Sequence, residues 1–208
     1  MTINEAIDGV YYINLDSAVD RRKHIEGEFE RNGITAERIV PVPSSNFDIT
    51  PTHDGGWCNN AKSLVETTKG IIKLAKERKQ RHIMIFEDDA ILVDKYIQRF
   101  AKDFNDLYTD ASEIDFAHAY HTHSFSVSLR KLYNFRLTRD GALCCVAYVI
   151  TENVYDIYLD QLEKHNYPID HVVKKIQYYR KRSFIYEPLA VRHQHGQYST
   201  LREEKVDY

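Results

Sequence analysis

The sequence predicts an α/β fold, and three observations predict it. Short β-rich apolar runs alternate with segments whose apolar residues recur every three or four positions, over roughly the first 120 residues. Each run stops at a polar or turn-forming residue: Asp16 after Val10 to Leu15, Pro43 after Glu37 to Val42, Glu87 after Ile83 to Phe86. No internal repeat, low-complexity tract or linker divides the 208 residues, a length that fits one domain, 1–208. Such alternation argues a mostly parallel, Rossmann-like sheet with helices on its faces.

Val10-Tyr11-Tyr12-Ile13-Asn14-Leu15 is the first predicted strand. Ser17 or Asp20 can cap a helix through Glu30, and Gly33 stands where a left-handed C′ residue belongs. Val19, Ile25 and Phe29 give that helix a sparse apolar stripe. Arg21, Arg22 and Lys23 occupy its first turns, the end of the macrodipole that disfavours cations. Their placement suits either a bound anion or a salt-bridged surface. A second strand spans Glu37 to Val42, and a polar loop runs from Ser44 to Gly56. A helix from Asn59 to Lys79 carries Leu64, Val65, Thr68, Ile71, Ile72 and Ala75 on one face.

Next comes Ile83-Met84-Ile85-Phe86, long enough for a buried strand, which runs straight into Glu87-Asp88-Asp89. Three adjacent carboxylates repel one another, and the repulsion is expensive near a low-dielectric core. A cation between them, usually a divalent metal, relieves it; helix capping with solvated neighbours is the plainer explanation. Because ligands of such sheets bind at the carboxyl ends of strands, Asn14-Leu15-Asp16 and Glu87-Asp88-Asp89 are expected to share one crevice.

Downstream, Tyr96 to Tyr108 predicts an amphipathic helix with Ile97, Phe100, Phe104 and Leu107 inward. Ile114 to Tyr120, Leu132 to Leu137 and Ala142 to Ile150 predict strands, the last nearly all apolar and so central. Helices follow from Thr151 to about His165 and from Val172 to Tyr179, broken by Tyr167-Pro168-Ile169-Asp170. Phe184 to Tyr186 and Leu189 to Val191 are short strands before a polar tail.

Composition bounds the function. The chain is 43% hydrophobic and 28% charged, with a net charge of -3, so no global basic footprint for nucleic acid exists. Three cysteines, two of them adjacent, make no disulfide framework and lack CxxC spacing, which fits a reducing, cytoplasmic setting and argues against structural zinc. No stretch approaches a membrane span, and MTINEAIDG has no signal-peptide pattern, so any membrane contact is expected to be peripheral. Fifteen tyrosines suit surfaces that stack on sugars or bases, and equally fill half-buried positions. Lys174, Lys175, Tyr178, Tyr179, Arg180, Lys181 and Arg182 form a basic-aromatic segment able to meet an anionic partner, or a solvated helix face.

Several blocks together resemble glycosyltransferase family 25, which includes lipopolysaccharide and collagen galactosyltransferases. Tyr12-Ile13-Asn14-Leu15-Asp16 with Asp20-Arg21-Arg22 resembles its opening "INLD…DR", and Phe86-Glu87-Asp88-Asp89-Ala90 its "EDDA" block, a version of the DXD motif. Ile114-Asp115-Phe116, Gly141 with Ala147-Tyr148-Val149-Ile150, Pro168-Ile169-Asp170-His171, and Pro188-Leu189 with Gln194 and Ser199-Thr200 resemble later blocks in the same order. One block departs: Ala61 and Lys62 stand where the family usually has Ser-His, so donor or acceptor contacts there differ. The chain is also short for the family.

The resemblance implies a single-domain GT-A fold, with a nucleotide-sugar-binding half over about 8–120 and an acceptor-binding half over about 121–208. It implies transfer of a hexose, galactose or glucose, from a nucleotide-diphosphate sugar (a UDP-sugar above all) to an acceptor hydroxyl with inversion. Mn²⁺ or Mg²⁺ is the implied cofactor, since both favour hard carboxylate ligands and a cation can neutralise a leaving diphosphate. Asp89 and Glu87, at i and i+2 in extended chain, are the expected metal ligands, with His193 or His195 adding a third and Asp88 anchoring the loop. Asn14, Leu15 and Asp16 would hold base or ribose, Arg21 or Arg22 phosphate, and Lys62 would join the donor site. Asp170 is the candidate general base or a helix cap, and Asp115 the runner-up base. The acceptor stays open among glycan, protein hydroxyl and modified nucleic-acid base.

Other classes compete. A metal-dependent nuclease or nucleotidyltransferase also builds on carboxylates after a strand, but expects a lysine two residues beyond an acid. A metallo-β-lactamase-like HxHxDH pattern fails at Phe125 and Ser126, after His118, His121 and His123. A non-catalytic nucleotide- or sugar-binding module would not need all three acids.

Overall fold

The structure, a computed structural model, describes residues 1–51, 57–111, 113–122, 127–138, 141–194, 198–199 and 204–205. Its elements in chain order are α1 (Ile3–Ala6), β1 (Gly9–Ile13), α2 (Val19–Asn32), β2 (Glu37–Ile39), α3 (Asn59–Glu77), β3 (His82–Glu87), β4 (Ala90–Leu92), α4 (Asp94–Asp110) and β5 (Phe116–His118). The hairpin β6 (Val127–Leu132) and β7 (Phe135–Thr138) follows, then β8 (Ala147–Thr151), α5 (Tyr155–Lys164), α6 (Ile169–Arg180), β9 (Ser183–Tyr186) and β10 (Val191–His193). Two short strands, β11 (Tyr198–Ser199) and β12 (Glu204–Lys205), pair with each other.

Eight strands form one mixed sheet in the order β2-β1-β3-β8-β5-β9-β7-β6. The first α/β units run parallel, β1 beside both β2 and β3. The expectation of a mostly parallel sheet holds for that half; beyond it only β5 and β9 run parallel among the described strands, and the other neighbours are antiparallel. Strand β8, buried at every position, enters between β3 and β5 antiparallel to both. A strand apolar but for its last residue, Thr151, gains most from the centre, where both its faces are covered.

Period-two alternation sorts the core onto two faces. Val10, Tyr12, Met84 and Phe86 point to the side where Ile25 and Phe29 of α2 and Phe100 and Phe104 of α4 pack. Tyr11, Ile13, Ile83 and Ile85 point to the other, against Val65, Ile71 and Ile72 of α3, Tyr158 of α5 and Val172 and Val173 of α6. Helix α2 ends at Gly33, whose φ of 63° lets its N–H cap the last turn. The capping expectation at its start differs: Ala18 is the N-cap and makes no side-chain cap.

Three further boundaries depart from the sequence pattern. Leu132 to Leu137 is not one strand: it is split by a turn at Tyr133-Asn134, with Tyr133 left-handed at φ 58°. Ala142 to Val146 is irregular, and only Ala147–Thr151 is extended in the sheet. Thr151 belongs to β8, so α5 begins at Tyr155, whereas α6 begins earlier than expected, at Ile169, directly after Pro168. No helix among the described residues is long and apolar enough to cross a membrane.

Candidate active site

Strand register builds the site. In the β1–β3 pair Ile13 lies opposite Glu87, so Asn14 and Asp88, the next residue on each strand, emerge side by side at the carboxyl ends. Asn14 Nδ2 donates to Asp88 Oδ2 over 2.7 Å and ties the two loops together. On the other flank the Glu87 N–H donates to the Val146 carbonyl at 2.8 Å, leading into β8. The three carboxylates thus sit over the middle of the sheet, with Asp88 and Asp89 buried.

A cation does lie between two of them, and it is Arg21. Its guanidinium, from the first turn of α2, ion-pairs with Asp88 and reaches Asp89 Oδ2 at 3.1 Å. Asp89 Oδ2 also meets His193 Nε2 at 3.2 Å, because β10 pairs antiparallel with β4 and sets His193 opposite Ala90. The Gln194 N–H closes the same corner on the Asp89 carbonyl at 3.1 Å. Asp89 Oδ1 is buried without a hydrogen-bond partner among the described residues.

These surroundings push the carboxylates apart in acidity. Glu87 is held well above the usual carboxylate range, first by burial and then by the charges of Asp89, Asp170 and Asp88, which Arg21 only partly offsets. Burial also raises Asp88, against the pull of Arg21 and Asn14. Asp89 goes the other way: burial acts to raise it, but the hydrogen bond with His193 and the Arg21 charge outweigh that and bring it below its ordinary value. Neighbouring acids are therefore split into a proton holder and an anion. Asp170, in the first turn of α6, is raised by burial, while hydrogen bonds to the Cys145 thiol and the Cys144 and Cys145 backbone favour its ionised form. Those bonds reach across to the segment before β8; they are not those of a helix cap. The thiols are correspondingly inert, with Cys144 pushed up to about 12 mainly by burial.

A pocket opens beside the acids, walled by Asn14, Leu15, Arg21, Glu87 and Asp88. Asn60, Ser63 and Leu64 of α3 close it opposite, with Pro41 and Ser44 from the loop after β2. The α3 wall went unread in the sequence because Leu64 fits the apolar core stripe and Asn60 and Ser63 look like surface. Their i, i+3, i+4 spacing was the available signal.

The remaining expected residues lie elsewhere. Lys62 does not line the pocket and pairs with Glu66 at 2.7 Å. Arg22 pairs with Glu26 at 2.8 Å. Asp16 is exposed and pairs with Arg38 at 2.7 Å, while Arg38 Nε also bonds Asn14 Oδ1. Asp115 is fully buried in a two-point ion pair with Arg180, which makes it a structural acid. His195 and His123 lie outside the described residues. His118 is buried in the sheet, its Nε2 2.6 Å from Gln177 Nε2.

Among the described residues no group of three or more His, Cys, Asp or Glu side chains is arranged to hold a metal ion by itself. What exists is a buried orphan carboxylate oxygen, Asp89 Oδ1, next to Glu87. That donor set fits a hard divalent cation of the kind that takes most of its ligands from a substrate's phosphates.

No family model and no curated protein matches this chain. Several dozen chains of solved structures resemble it, two of them as follows. One is a glycosyltransferase involved in the glycosylation of the major capsid of PBCV-1, 11% identical over 86% of this chain and 82% of that chain, with a TM-score of 0.44. The other is A197 from STIV, 11% identical over 89% of this chain and 84% of that chain, also at 0.44. At that identity and TM-score neither likeness says what this chain binds, and the likeness to glycosyltransferase family 25 rests on its motifs.

Proposed function

We propose that the chain is a glycosyltransferase moving a hexose from a nucleoside diphosphate sugar, UDP-linked above all, to an acceptor hydroxyl with inversion. One observation carries the reading: a pocket at the carboxyl ends of parallel strands β1 and β3, where acids of split protonation meet an arginine. Asn14 and Leu15 are placed to hold base and ribose. Arg21 is the group for the diphosphate, exchanging its carboxylate partners for phosphate oxygens of similar fork geometry. With no metal bound, Glu87 is kept protonated and can donate a hydrogen bond to a sugar or ribose oxygen; a metal would displace that proton. Asp170 would take the acceptor proton, its raised pKa nearer to that of a working base than an exposed aspartate's. Mn²⁺ or Mg²⁺, held by Asp89 and Glu87, would neutralise charge on the departing diphosphate.

A second reading has its own support. Arg21 already supplies positive charge to Asp88 and Asp89, and His193 a hydrogen bond to Asp89, so the acids can serve donor binding without a metal.

Purified protein incubated with Mn²⁺ and a panel of UDP- and GDP-sugars is expected to release nucleoside diphosphate and to gain thermal stability with UDP or GDP. Absence of both sinks the transferase reading. Asp89→Asn, which keeps the shape, is expected to cut turnover by about a hundredfold or more and to abolish metal-dependent nucleotide binding. Undiminished activity of wild type in EDTA would select the metal-free reading instead.

A further inference from the structure

The outer face of α6 forms a second concavity, lined by Leu143, His171, Lys174, Lys175, Tyr178 and Tyr179. From His171 the helical members fall at i, i+3, i+4, i+7 and i+8, a single face. The basic run at the end of α6 divides here into two groups. Arg180 grips buried Asp115, and Arg182 pairs with Glu113 at 2.6 Å, so both belong to the fold. Lys175 Nζ instead meets His165 Nε2 at 2.7 Å, and Lys181 stands over the Tyr178 ring at 5.1 Å. Neither contact neutralises the lysine. Around them the Tyr178 and Tyr179 rings are 51% and 73% exposed, and Tyr167 stacks on His165 at 5.9 Å. Exposed rings beside Lys175 and Lys181, neither of which pairs with a carboxylate among the described residues, make a surface for a ligand that alternates rings with negative charge.

The groove also has a direction. Helix α6 starts with Asp170 beside Glu87, and Tyr179 lies roughly 14 Å further along the axis at 1.5 Å per residue. That span matches two to three sugar rings. We propose that this face is the acceptor subsite and takes an anionic glycan, a sugar chain bearing phosphate or carboxylate groups, whose terminal hydroxyl reaches Asp170. The assignment rests on the transferase reading above. A glycan with intermittent charge suits the face better than single-stranded nucleic acid. The latter carries a phosphate at every residue and asks for a broad electropositive surface, which a chain of net charge -3 with a few lysines on one helix does not offer.

Calorimetric titration of the full chain with trigalacturonate, a phosphorylated pentamannose, neutral mannopentaose and a short oligothymidylate tests this. At least one anionic glycan should bind about tenfold or more tighter than the neutral one, the worth of one charge-assisted contact. Which anionic glycan wins tells carboxylate from phosphate. Tyr179→Ala and Lys181→Glu, both at the surface, should each remove most of that preference with unchanged melting temperature. Equal binding of neutral and anionic glycans, tighter binding of oligothymidylate, or variants that bind like wild type would each overturn the assignment. Thermal shift with UDP is recorded on the same proteins and should not respond to either variant. Loss of the UDP shift with glycan preference intact would instead sink the transferase reading and leave a glycan-binding face.

Discussion

Glu87 is the residue whose cost shows most directly in solution. Its folded-state pKa is raised, so it favours folding below the unfolded value of 4.5 and loses that contribution as pH climbs through the folded value. Glu87→Gln removes the titration and keeps the shape. In EDTA the variant should match wild type in stability near pH 4 and exceed it at pH 8, by roughly 1.4 kcal/mol per pH unit separating the two values. Urea melts at the two pH values check it; a gap that does not widen with pH contradicts the assigned environment. The acid triplet itself stood out in the sequence, because three carboxylates after an apolar run need compensation. Arg21 as the compensating group did not. Its place beside Asp88 and Asp89 depends on how α2 docks on the sheet, and no local pattern encodes that. Asp115 was legible in chemistry only, as an acid inside a strand that needs a partner; Arg180, which supplies it, lies 65 residues on.

Among the elements, α2 offers a comparison within one helix. Gly33 closes it in the left-handed region, where an added Cβ is strained whatever the space, whereas Gly27 is exposed mid-helix with nothing within 4 Å of a Cβ. Gly33→Ala should destabilise by about 1 kcal/mol and Gly27→Ala should stabilise by about 0.5–1 kcal/mol. Chemical denaturation of the two variants tests both signs; equal effects would mean that the cap geometry is not sustained in solution. Long periodic helices such as α3 and α4 were readable because many residues vote for each. The three-residue strands β4 and β10 were not read as a pair, since three residues carry no period and their partner is remote. The hairpin turn at Tyr133-Asn134 was hidden for another reason: Tyr is a poor turn residue, and its left-handed backbone is imposed by pairing on either side.

For the whole molecule, the buried polar layer around His118 sets the response to acid. Burial, with a smaller push from His121, lowers His118 from 6.5 to about 3. Between those values the unfolded chain takes up a proton that the folded chain refuses, so stability is lost as pH falls, at about 1.4 kcal/mol per pH unit from this group. His118→Gln retains an acceptor for Gln177 without titrating, and its stability should fall less steeply between pH 6.5 and 4. Parallel slopes for variant and wild type would show that His118 titrates normally. The α/β class and the alternating half-sheet of β1, β2 and β3 were written in the sequence as periodicity. The antiparallel insertion of β8 was not, because a nearly all-apolar strand says that it is central without saying which way it runs.

The ribbon of β4 and β10 bears on how the site comes into being. Asp89 leaves the ribosome roughly a hundred residues ahead of His193 and Gln194, an interval of about 5–20 s at ordinary rates of synthesis. Through that interval the nascent chain already holds Arg21 and the acid triplet, yet lacks the strand that pins the Asp89 carbonyl and carboxylate. Competence of this crevice thus waits on the synthesis of β10, and a chain cut before Val191 would carry the acids with their closing strand missing.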